Sequence, residues 1–494
     1  MSKKKAKGSY LKLRTFSKLL LVVSIIFILL LAYFIFDANI LPVKYLFIVL
    51  GVFFLLAIIQ AIFIMNRKTK IWLIIIIDIL TFAVMSAEAF AIVKINETIS
   101  FLRENLGLKY RTDVYNIVVH KDSNVKSIQD LNGKTVVGYK DLEDMSKVEE
   151  ECKKKATFTI TYEEDLMGML NKITEDKELI ILVNSGNYDV MAQTDEKYAD
   201  KVRIVDTIEI KTIVEQEESH IKITEEPFVV YLSGVDTRSN YLPSRSLSDV
   251  NIILAVNPKE KRILMIHIPR DYYVQIHGKP GLKDKLTHSG GMGGVELTMQ
   301  TIEDLLEIKI PYYVRVNFNA LVNLVDAIGG INIDSDIDIA SCWTDRSCSF
   351  HKGLNSVGGR CALAFARERY AYATGDRHRG ENQEQVLSLI IDKITSSSTL
   401  ISRYSEILEA LNGTFETNLT TDEITSLVKM QIDDMAKWKM ETYNVDGQGN
   451  MLPTYSYPNL NLYVMEPKME TVTAAVAKLD EILGTKNEEK SKQE

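Results

Sequence analysis

The sequence has no surplus of positive charge. Its 494 residues contain 58 lysines and arginines against 66 aspartates and glutamates, a formal net charge of −8. A general nucleic-acid binder is usually basic across a whole domain, so we expect no nucleic-acid partner. Apolar residues make up 46% of the chain and charged residues 25%, which is ordinary for a folded protein.

Cysteine is also scarce. The four cysteines, Cys152, Cys342, Cys348 and Cys361, are too few for a disulfide scaffold. Cys342 and Cys348 are close enough in sequence to form a disulfide if their domain lies outside the cell, and buried free thiols are the alternative. Zinc binding together with His351 is disfavoured because the spacing fits no common zinc pattern.

The motifs of several large enzyme classes are missing. The sequence contains no Walker-type glycine loop, no G-x-S-x-G elbow and no H-E-x-x-H helix. The chemistries that depend on those motifs are therefore disfavoured.

Long hydrophobic runs, in contrast, are present at the start of the chain, at Leu19–Phe36, Tyr45–Met65 and Ile71–Val93. Each is near the ~20 residues that a helix needs to cross a bilayer. Basic residues cluster before the first run and between the second and third, and positive charge marks the cytoplasmic side. We predict that residues 1–96 form a cytoplasmic stub and three transmembrane helices in a cell membrane, with the rest of the chain outside.

Two folded domains are expected beyond the membrane segments. Residues 97–226 alternate helix-like runs with short strand-like runs, at Tyr115–Val119, Thr135–Tyr139, Leu179–Val183 and Val202–Val205. This pattern predicts a small extracellular α/β accessory domain. Its acid-rich end, Glu215–Glu226, is typical of a linker.

The second domain, residues 227–483, precedes a charged tail at 484–494. Its predicted strands are Phe228–Leu232, Asn251–Val256, Arg262–Ile268, Tyr312–Phe318 and Ile331–Ile333. Its predicted helices are Glu296–Leu306, Ala320–Ile328 and Gln385–Ile394. Alternating strands and helices predict an α/β fold whose sheet is covered on both faces.

One short segment of this domain is unusually rich in arginine. Arg367, Arg369, Arg377 and Arg379 surround Asp376 within R-E-R-Y-A-Y-A-T-G-D-R-H-R-G-E-N-Q. Guanidinium groups match phosphate oxygens two at a time and stay charged at any working pH. The segment therefore predicts a site for a multiply charged anion.

Further charged residues lie at the ends of predicted strands, where functional groups of such sheets collect. Asp236 follows the first strand, Asp249 precedes the second, and Arg270 follows the third. Two carboxylates of this kind suit one Mg²⁺ ion that also binds a substrate phosphate. Taken singly, each residue has a plainer interpretation, such as a turn cap for Asp236 or a surface ion pair with Glu368 for the arginines.

From about Phe228 to Leu400 the sequence closely resembles the LytR–CpsA–Psr (LCP) family of Gram-positive cell-envelope proteins. The motifs that carry the resemblance are G-V-D-T-R, S-D-V-N-I-I-L-A-V-N-P, I-P-R-D-Y-Y-V, K-D-K-L-T-H, Y-V-R-V-N-F, A-L-A-F-A-R-E-R and G-D-R-H-R-G-E-N-Q. The three-helix anchor with a following extracellular domain is similar to the capsule-related branch of the family.

The resemblance implies an α-β-α sandwich with an apolar tunnel for a lipid tail. It implies a phosphotransferase on the outer membrane face that moves a glycopolymer, such as capsular polysaccharide or teichoic acid, from a polyprenyl diphosphate to peptidoglycan. The partners would be the lipid-linked polymer, peptidoglycan and the bilayer of a Gram-positive bacterium.

The resemblance also implies roles for individual residues. Asp236 and Asp249 match the Mg²⁺-binding acids. The diphosphate-binding residues match Arg270, Lys285, Arg367, Arg369, Arg379 and Gln383. Asp376 matches an acid beside them and is a candidate base, and Arg270, Arg367 and Arg369 are the other candidate catalytic residues.

Two positions depart from the family pattern. The family has Arg-Ser-Asp before the second strand, whereas this chain reads S-R-S-L-S-D, with Leu247 in place of the arginine. Either Arg245 reaches into the site from a two-residue insertion, which we favour, or the contact is missing. Cys361 stands where a polar residue is expected.

Other functions remain open at this point. Water could be the acceptor, which would make the protein a polyprenyl-diphosphate hydrolase. A non-catalytic membrane regulator of envelope synthesis and a lipid-carrier binding protein without turnover are further alternatives.

Overall fold

A computed structural model describes residues 2–484 except 40, 67, 107–108, 140–144, 195–196, 215–220, 237–241, 280, 282, 397–398, 400–402 and 459. Half of the predicted linker, nearly all of the charged tail and Arg67 lie outside the described residues. The chain divides into two compact units. The first is Met1–Gly107 with Leu400–Leu408 and Thr420–Ala436, and the second is Leu108–Thr399 with Glu409–Leu419 and Lys437–Glu494.

Three long helices open the chain: α1 (Ser2–Ala38), α2 (Val43–Met65) and α3 (Ile71–Leu106). Each contains a segment long and apolar enough to cross a membrane, at Tyr10–Ala38, Val43–Met65 and Ile71–Ser100. The three apolar runs expected from the sequence lie inside these helices, which indicates a membrane anchor. Ser17 of α1 donates a hydrogen bond of 2.7 Å to the Asp78 carboxylate of α3.

The second unit begins with a five-stranded sheet in the order β3-β2-β4-β1-β5. Its elements are β1 (Lys109–His120), β2 (Thr135–Tyr139), α4 (Met145–Lys155), β3 (Thr159–Glu163), α5 (Leu166–Lys172), β4 (Ile180–Asn184), α6 (Ser185–Thr194), α7 (Tyr198–Lys201) and β5 (Val202–Val214). We call this part the accessory domain. The four predicted strands are confirmed. Sequence reasoning missed β3, because it is mostly exposed and shows no alternation of buried residues.

A larger, six-stranded mixed sheet follows, in the order β14-β11-β6-β7-β8-β15. The elements that follow in the chain are β6 (Phe228–Val235), β7 (Val250–Asn257), β8 (Arg262–His267), β9 (Tyr273–Gln275), β10 (Lys283–Lys285), α8 (Leu286–Leu306), β11 (Tyr312–Asn317), α9 (Phe318–Ala327), β12 (Ile331–Ser335), β13 (Gly353–Val357), α10 (Gly359–Ala366), α11 (Asp376–Thr395), α12 (Tyr404–Leu411), β14 (Phe415–Thr417), α13 (Thr421–Asp434), β15 (Lys439–Asn444), β16 (Gly447–Pro453), β17 (Asn461–Pro467) and α14 (Met469–Leu483). We call those that belong to the second unit the catalytic domain; α13 and most of α12 belong to the first unit.

The two faces of this sheet are packed differently. Because successive side chains of a strand point to opposite faces, Tyr231, Ile253 and Ile266 face one way and form a closed core with α8 and α14. The other face looks toward α9, α10 and α11, and a cavity remains between them. Helices on both faces confirm the predicted α-β-α sandwich.

The accessory and catalytic domains share an apolar cluster. Leu247, Tyr457 and Leu462 of the catalytic domain pack with residues of α5, α6 and β4. The backbones approach closely where α6 meets α8, since a Cβ atom added at Gly186 would lie 2.6 Å from the carbonyl oxygen of Gly291. The two domains therefore form one compact unit, although the sequence boundary at residue 227 stays a prediction.

Helix α13 belongs to the first unit, with the membrane helices. The Lys44 ammonium, in the first turn of α2, lies 2.7 Å from the Asp433 carboxylate at the end of α13. Lys429 of α13 donates a hydrogen bond of 3.0 Å to the side chain of Asn39, which follows α1. Both contacts lie where α1 ends and α2 begins.

The cysteines pair differently from the candidate pairing. Cys348 forms a disulfide with Cys361 of α10, whereas Cys342 and Cys152 are buried free thiols. The predicted Cys342–Cys348 disulfide was wrong, because the prediction was based only on nearness in sequence. The disulfide also accounts for a cysteine at position 361, where a polar residue was expected.

Candidate functional site

The sheet brings the predicted acids to one edge. In the antiparallel pair β6–β7, Gly234 lies opposite Val250, and the Asp249 amide donates to the Gly234 carbonyl at 2.9 Å. Asp236 follows β6 and Asp249 precedes β7, so both carboxylates extend from the same end of the sheet. Arg270, after the adjacent strand β8, joins them there and donates a hydrogen bond of 2.8 Å to Asp249.

A cavity of about 490 Å³ opens at this edge and runs along the less filled face of the sheet. We call it the apolar cavity. Its interior is formed by side chains of β6, β7 and β11 and by α9, α10, α11 and α12; these are Leu232, Ile252, Leu254, Val314, Val316, Leu321, Leu324, Leu363, Val386, Leu387, Ile390, Ile391, Ile394 and Leu411. Such an interior suits a hydrocarbon chain.

The polar end of the apolar cavity carries most of the predicted site residues. Seven of them line it: Asp236, Asp249, Arg270, Arg367, Arg369, Arg379 and Gln383. They come from strand ends, the end of α10 and the first turns of α11, which are distant in sequence. The structure therefore brings together the strand-end residues and the arginine-rich segment.

Each arginine at this end is held by a defined contact. Arg367, directly after α10, donates to the Asp236 carboxylate at 3.1 Å and lies over the Phe318 ring, 4.2 Å from its centre. Arg369 donates to the Tyr370 hydroxyl at 2.7 Å. These contacts fix the guanidinium groups before any ligand binds, which lowers the cost of ordering them.

The cavity end is electrostatically unbalanced. Burial lowers the pKa of Arg379 below its ordinary value, and the positive charge of Arg270 lowers it further, although Asp376 acts in the opposite direction. Burial alone would also lower the pKa of Arg270, but Asp249 and Asp271 outweigh burial and raise it. Four arginines against two acids leave room for an anion with more than one charge.

Asp376 does not line the apolar cavity. Its carboxylate forms an ion pair, at 2.7 Å, with the guanidinium group of Arg379, one turn further along α11. In this position Asp376 orients an arginine that does line the cavity. Its role as a base stays a prediction.

Lys285 lies at a second cavity rather than at the apolar one. This polar cavity, of about 340 Å³, is lined by Arg270, Asp271, Lys285, Thr287, His288, Met451, Leu460, Asn461, Leu462 and Tyr463. The Lys285 ammonium lies 2.9 Å from the Asp271 carboxylate. Burial would raise the pKa of Asp271, but Lys285 and Arg270 outweigh it and lower the pKa, so Asp271 is ionised at neutral pH.

The structure does not bring Arg245 to either cavity. Arg245 is buried against the accessory domain, where its Cβ atom would lie 2.9 Å from a Cβ added at Gly186. Leu247, at the family's arginine position, is buried in the cluster shared by the two domains. We therefore correct the expectation that Arg245 reaches into the site.

Sequence reasoning missed an aromatic pair at the cavity. The rings of Trp343 and Tyr370 lie 4.8 Å apart, and both residues line the apolar cavity. Glu368 holds their backbones in place, because its buried carboxylate accepts hydrogen bonds from the amides of Trp343, Arg369, Tyr370 and Ala371. Glu368 therefore fixes the backbone of this loop and is not the surface ion-pair partner considered above.

The acids of the apolar cavity form a sparse donor set for a metal. Among the described residues, no group of three or more histidine, cysteine or acidic side chains could hold a metal ion. Two carboxylates, Asp236 and Asp249, remain at one edge of the sheet. They fit an ion such as Mg²⁺, which takes few protein ligands and fills its other positions with water or phosphate oxygens.

Known proteins resemble this chain over the catalytic domain. A family model described as the LytR_cpsA_psr family matches residues 190–476. The polyisoprenyl-teichoic acid–peptidoglycan teichoic acid transferase TagU of Enterococcus faecalis is 33% identical over 253 residues, 51% of this chain and 80% of that protein. Biofilm regulatory protein A of Streptococcus mutans is 33% identical over 244 residues, 47% of this chain and 60% of that protein. The crystal structure of B. subtilis TagV is 30% identical, with coverage of 53% of this chain and 98% of that one and a TM-score of 0.44.

Proposed function

Because this chain belongs to the LytR–CpsA–Psr family, we propose that it transfers a glycopolymer from a polyprenyl diphosphate to peptidoglycan by phosphotransfer. The observation that carries the proposal is the apolar cavity, whose hydrocarbon interior ends in four arginines and two acids. A polyprenyl diphosphate has the matching design, an apolar tail attached to a doubly ionised headgroup. The relative from Enterococcus faecalis is named as a transferase of teichoic acid from a polyisoprenyl carrier to peptidoglycan.

In the proposed reaction the arginines bind and orient the diphosphate. A hydroxyl oxygen of peptidoglycan forms a bond to the phosphorus nearer the glycan, and the bond from that phosphorus to the bridging oxygen breaks. Polyprenyl phosphate leaves with the bridging oxygen, and the hydroxyl proton passes to solvent or to a nearby base. Phosphoryl transfer of this kind depends on positioning and charge stabilisation, which Arg270, Arg367, Arg369 and Arg379 supply.

We propose Mg²⁺ as the metal, held by Asp236 and Asp249. When bound, the ion would neutralise charge on the phosphate oxygens. The same acids contact Arg367 and Arg270, so they also set the position of two arginines.

The membrane topology supports an extracellular reaction. Lys44, in the first turn of α2, pairs with Asp433 of α13, and α13 lies between β14 and β15 of the catalytic sheet in sequence. The basic residues Lys3–Lys18 and Arg67–Lys70 mark the opposite side of the membrane. We propose a cytoplasmic N-terminus and an extracellular catalytic domain in a Gram-positive bacterium, with capsular polysaccharide and teichoic acid as the candidate polymers.

The direct test replaces Arg367 or Arg369 by alanine in the purified full-length protein. Each change should lower transfer to peptidoglycan about 100-fold or more, because it removes a charge that stabilises the departing phosphate. Arg377→Ala is the matched control, since Arg377 belongs to the same segment but pairs with Asp446 outside the cavity. Product analysis separates transfer from hydrolysis, because hydrolysis would release free glycan phosphate. Full transfer activity in a variant that carries both Arg367→Ala and Arg369→Ala would refute the proposed role of these arginines.

A regulatory function is the second candidate, because one relative is named a biofilm regulatory protein. A regulator without turnover would bind the lipid-linked polymer with the same arginines but yield no product. Single-turnover assays with lipid-linked polymer and peptidoglycan distinguish the two.

A further inference from the structure

The polar cavity differs from the apolar one in both its walls and its place. Lys285, Thr287, His288 and Asn461 form part of its wall, and its aliphatic lining is limited to Met451, Leu460 and Leu462. Among the described residues, Arg270 alone lines both cavities. A ligand in the polar cavity would therefore lie beside the diphosphate site, separated from it by one guanidinium group.

Two polar groups at the polar cavity lack a hydrogen-bond partner among the described residues. The Thr287 hydroxyl is one, although Thr287 is 98% buried, with a relative exposure of 2%. The Nε of Arg270 is the other, and its nearest carboxylate oxygen, on Asp271, is 3.6 Å away. Buried polar groups in proteins are nearly always paired, so two unpaired ones at one cavity indicate a ligand with oxygen atoms.

The charges of the polar cavity are already matched. Arg270 contacts Asp249 at 2.8 Å and Lys285 contacts Asp271 at 2.9 Å. A second phosphate would have to compete with both carboxylates. A neutral ligand rich in hydroxyl groups fits the cavity better.

The rim of the polar cavity offers an aromatic surface. Met451 and Tyr463 lie opposite each other in the hairpin of β16 and β17, and each is about half exposed, at 55% and 47%. The Tyr463 ring lies against Gly449, where an added Cβ would be 2.9 Å from the ring. The ring is thus held in place while it remains open to solvent, and such a surface can stack on the C–H face of a sugar.

The floor of the cavity is rigid. Asp284, which is fully buried, accepts hydrogen bonds from Ser456 at 2.6 Å and contacts the His288 ring at 2.7 Å. This network joins α8 to the segment that leads into β17. The polar wall and the aromatic rim are therefore held in a fixed relation.

We propose that the polar cavity is a sugar-binding subsite next to the diphosphate. A volume near 340 Å³ is at the small end of the range for ligand sites, about 300–1,000 Å³, and suits a short piece of a glycan. The sugar is either the donor residue attached to the diphosphate or the peptidoglycan sugar that accepts the polymer. This inference rests on the proposed function, because it takes the diphosphate site at Arg270 as given.

The test combines two variants that should affect different properties. Thr287→Val removes a hydroxyl that makes no hydrogen bond inside the protein, so the Tm should stay unchanged. The KM of one sugar substrate should rise about fivefold, since one neutral hydrogen bond to the ligand is lost. Thr301→Val, in the second helical segment of α8, is the matched control. Its equally buried hydroxyl donates to the Leu297 carbonyl, so the Tm should fall while both KM values stay unchanged.

The rim is tested with Tyr463→Ala, matched by Tyr162→Ala on the exposed strand β3. Separate titrations of a polyprenyl-diphosphate-linked oligosaccharide and a soluble peptidoglycan oligosaccharide identify the source of the sugar. A higher KM for the first assigns the donor, and a higher KM for the second assigns the acceptor. If Thr287→Val and Tyr463→Ala leave both KM values within twofold of an active wild-type enzyme, the subsite does not exist.

A separate readout keeps this inference apart from the proposed function. If the wild-type protein shows no transfer, the proposed function fails, and calorimetric binding of the same two oligosaccharides decides about the subsite. Weaker binding in both Thr287→Val and Tyr463→Ala would support it, and unchanged or undetectable binding would overturn it.

Discussion

Gln383 and Glu384 are neighbours in α11 but have different surroundings. Gln383 lines the apolar cavity, whereas Glu384 is buried behind it and accepts a hydrogen bond of 3.0 Å from Asn444. Burial raises the pKa of Glu384 to about 7. Burial, with the charge of Arg379, lowers the pKa of His267 on the adjacent strand to about 4. Both buried groups are therefore neutral in mildly acidic solution.

Glu384 should make the protein less stable as the pH rises. Between its ordinary pKa of 4.5 and the folded value of about 7, the folded protein binds more protons than the unfolded chain, so the free energy of unfolding falls with pH. The loss is at most about 3 kcal/mol. Glu384→Gln should remove this decline.

The measurement is the Tm of wild-type protein and Glu384→Gln by calorimetry at pH 5 and pH 8. His267 acts in the opposite direction between pH 4 and 6.5 in both proteins, so the difference between them isolates Glu384. Parallel pH profiles for the two proteins would contradict the assignment.

Sequence reasoning predicted the residues at the apolar cavity well where two independent signals agreed. Asp236, Asp249 and Arg270 were found from strand ends, and Arg367, Arg369 and Arg379 from charge density; a motif matched each of them. Arg245 was expected at the site on the assumption that its side chain extends toward the cavity. The side chain instead packs against the accessory domain at Gly186, and sequence reasoning had no signal for that contact.

At the level of secondary-structure elements, α8 shows where pattern reasoning ends. Non-helical backbone at Gly293 and Gly294 divides α8 into two helical segments. The second segment confirms the predicted helix Glu296–Leu306, whereas the first, which begins at Leu286, was missed. Its first half reads T-H-S-G-G-M-G-G, which has low intrinsic helix propensity. Tertiary packing overrides that propensity, because a Cβ at Gly290 would lie 2.5 Å from the Ser246 carbonyl oxygen.

The disulfide between Cys348 and Cys361 ties the loop before β13 to α10. That loop carries Trp343, and Arg367 directly follows α10, so the crosslink joins two parts of the apolar cavity. Changing both cysteines to serine should lower the free energy of unfolding by about 3 kcal/mol, since the crosslink closes a loop of 13 residues.

Calorimetry of the double serine variant, compared with Cys342→Ser, checks this expectation. Cys342 is buried but not crosslinked, so its replacement should have the smaller effect on the Tm. Equal Tm values for the double variant and the wild type under oxidising conditions would show that the crosslink contributes nothing.

At the level of the whole molecule, the accessory domain packs against the segment that leads into β7. Leu247 belongs to the apolar cluster that joins the two domains, together with Met191 and Leu170. Arg245 lies at the same junction, where the Ser244 amide donates to the Thr112 carbonyl at 2.9 Å. The segment in which the sequence analysis expected a departure from the family pattern is therefore the segment that contacts the accessory domain.

Leu247→Asp should loosen the accessory domain. The change puts an unpaired charge into an apolar cluster, at a cost of about 3 kcal/mol or more. Limited proteolysis should then cut between the domains near residue 227, faster than in the wild type. Leu354→Asp is the control, because Leu354 is 78% exposed; equal cleavage rates for both variants would contradict a shared core.

The unfilled face of the six-stranded sheet has a consequence for the lifetime of the protein. Apolar walls around an empty volume of about 490 Å³ lack the dispersion contacts that stabilise a close-packed interior. A hydrocarbon tail that enters supplies those contacts, and the melting temperature rises with the logarithm of the carrier concentration once that exceeds the dissociation constant. The fraction of intact protein in the membrane would then track the supply of loaded carrier, and starvation for carrier would expose the chain to quality-control proteases.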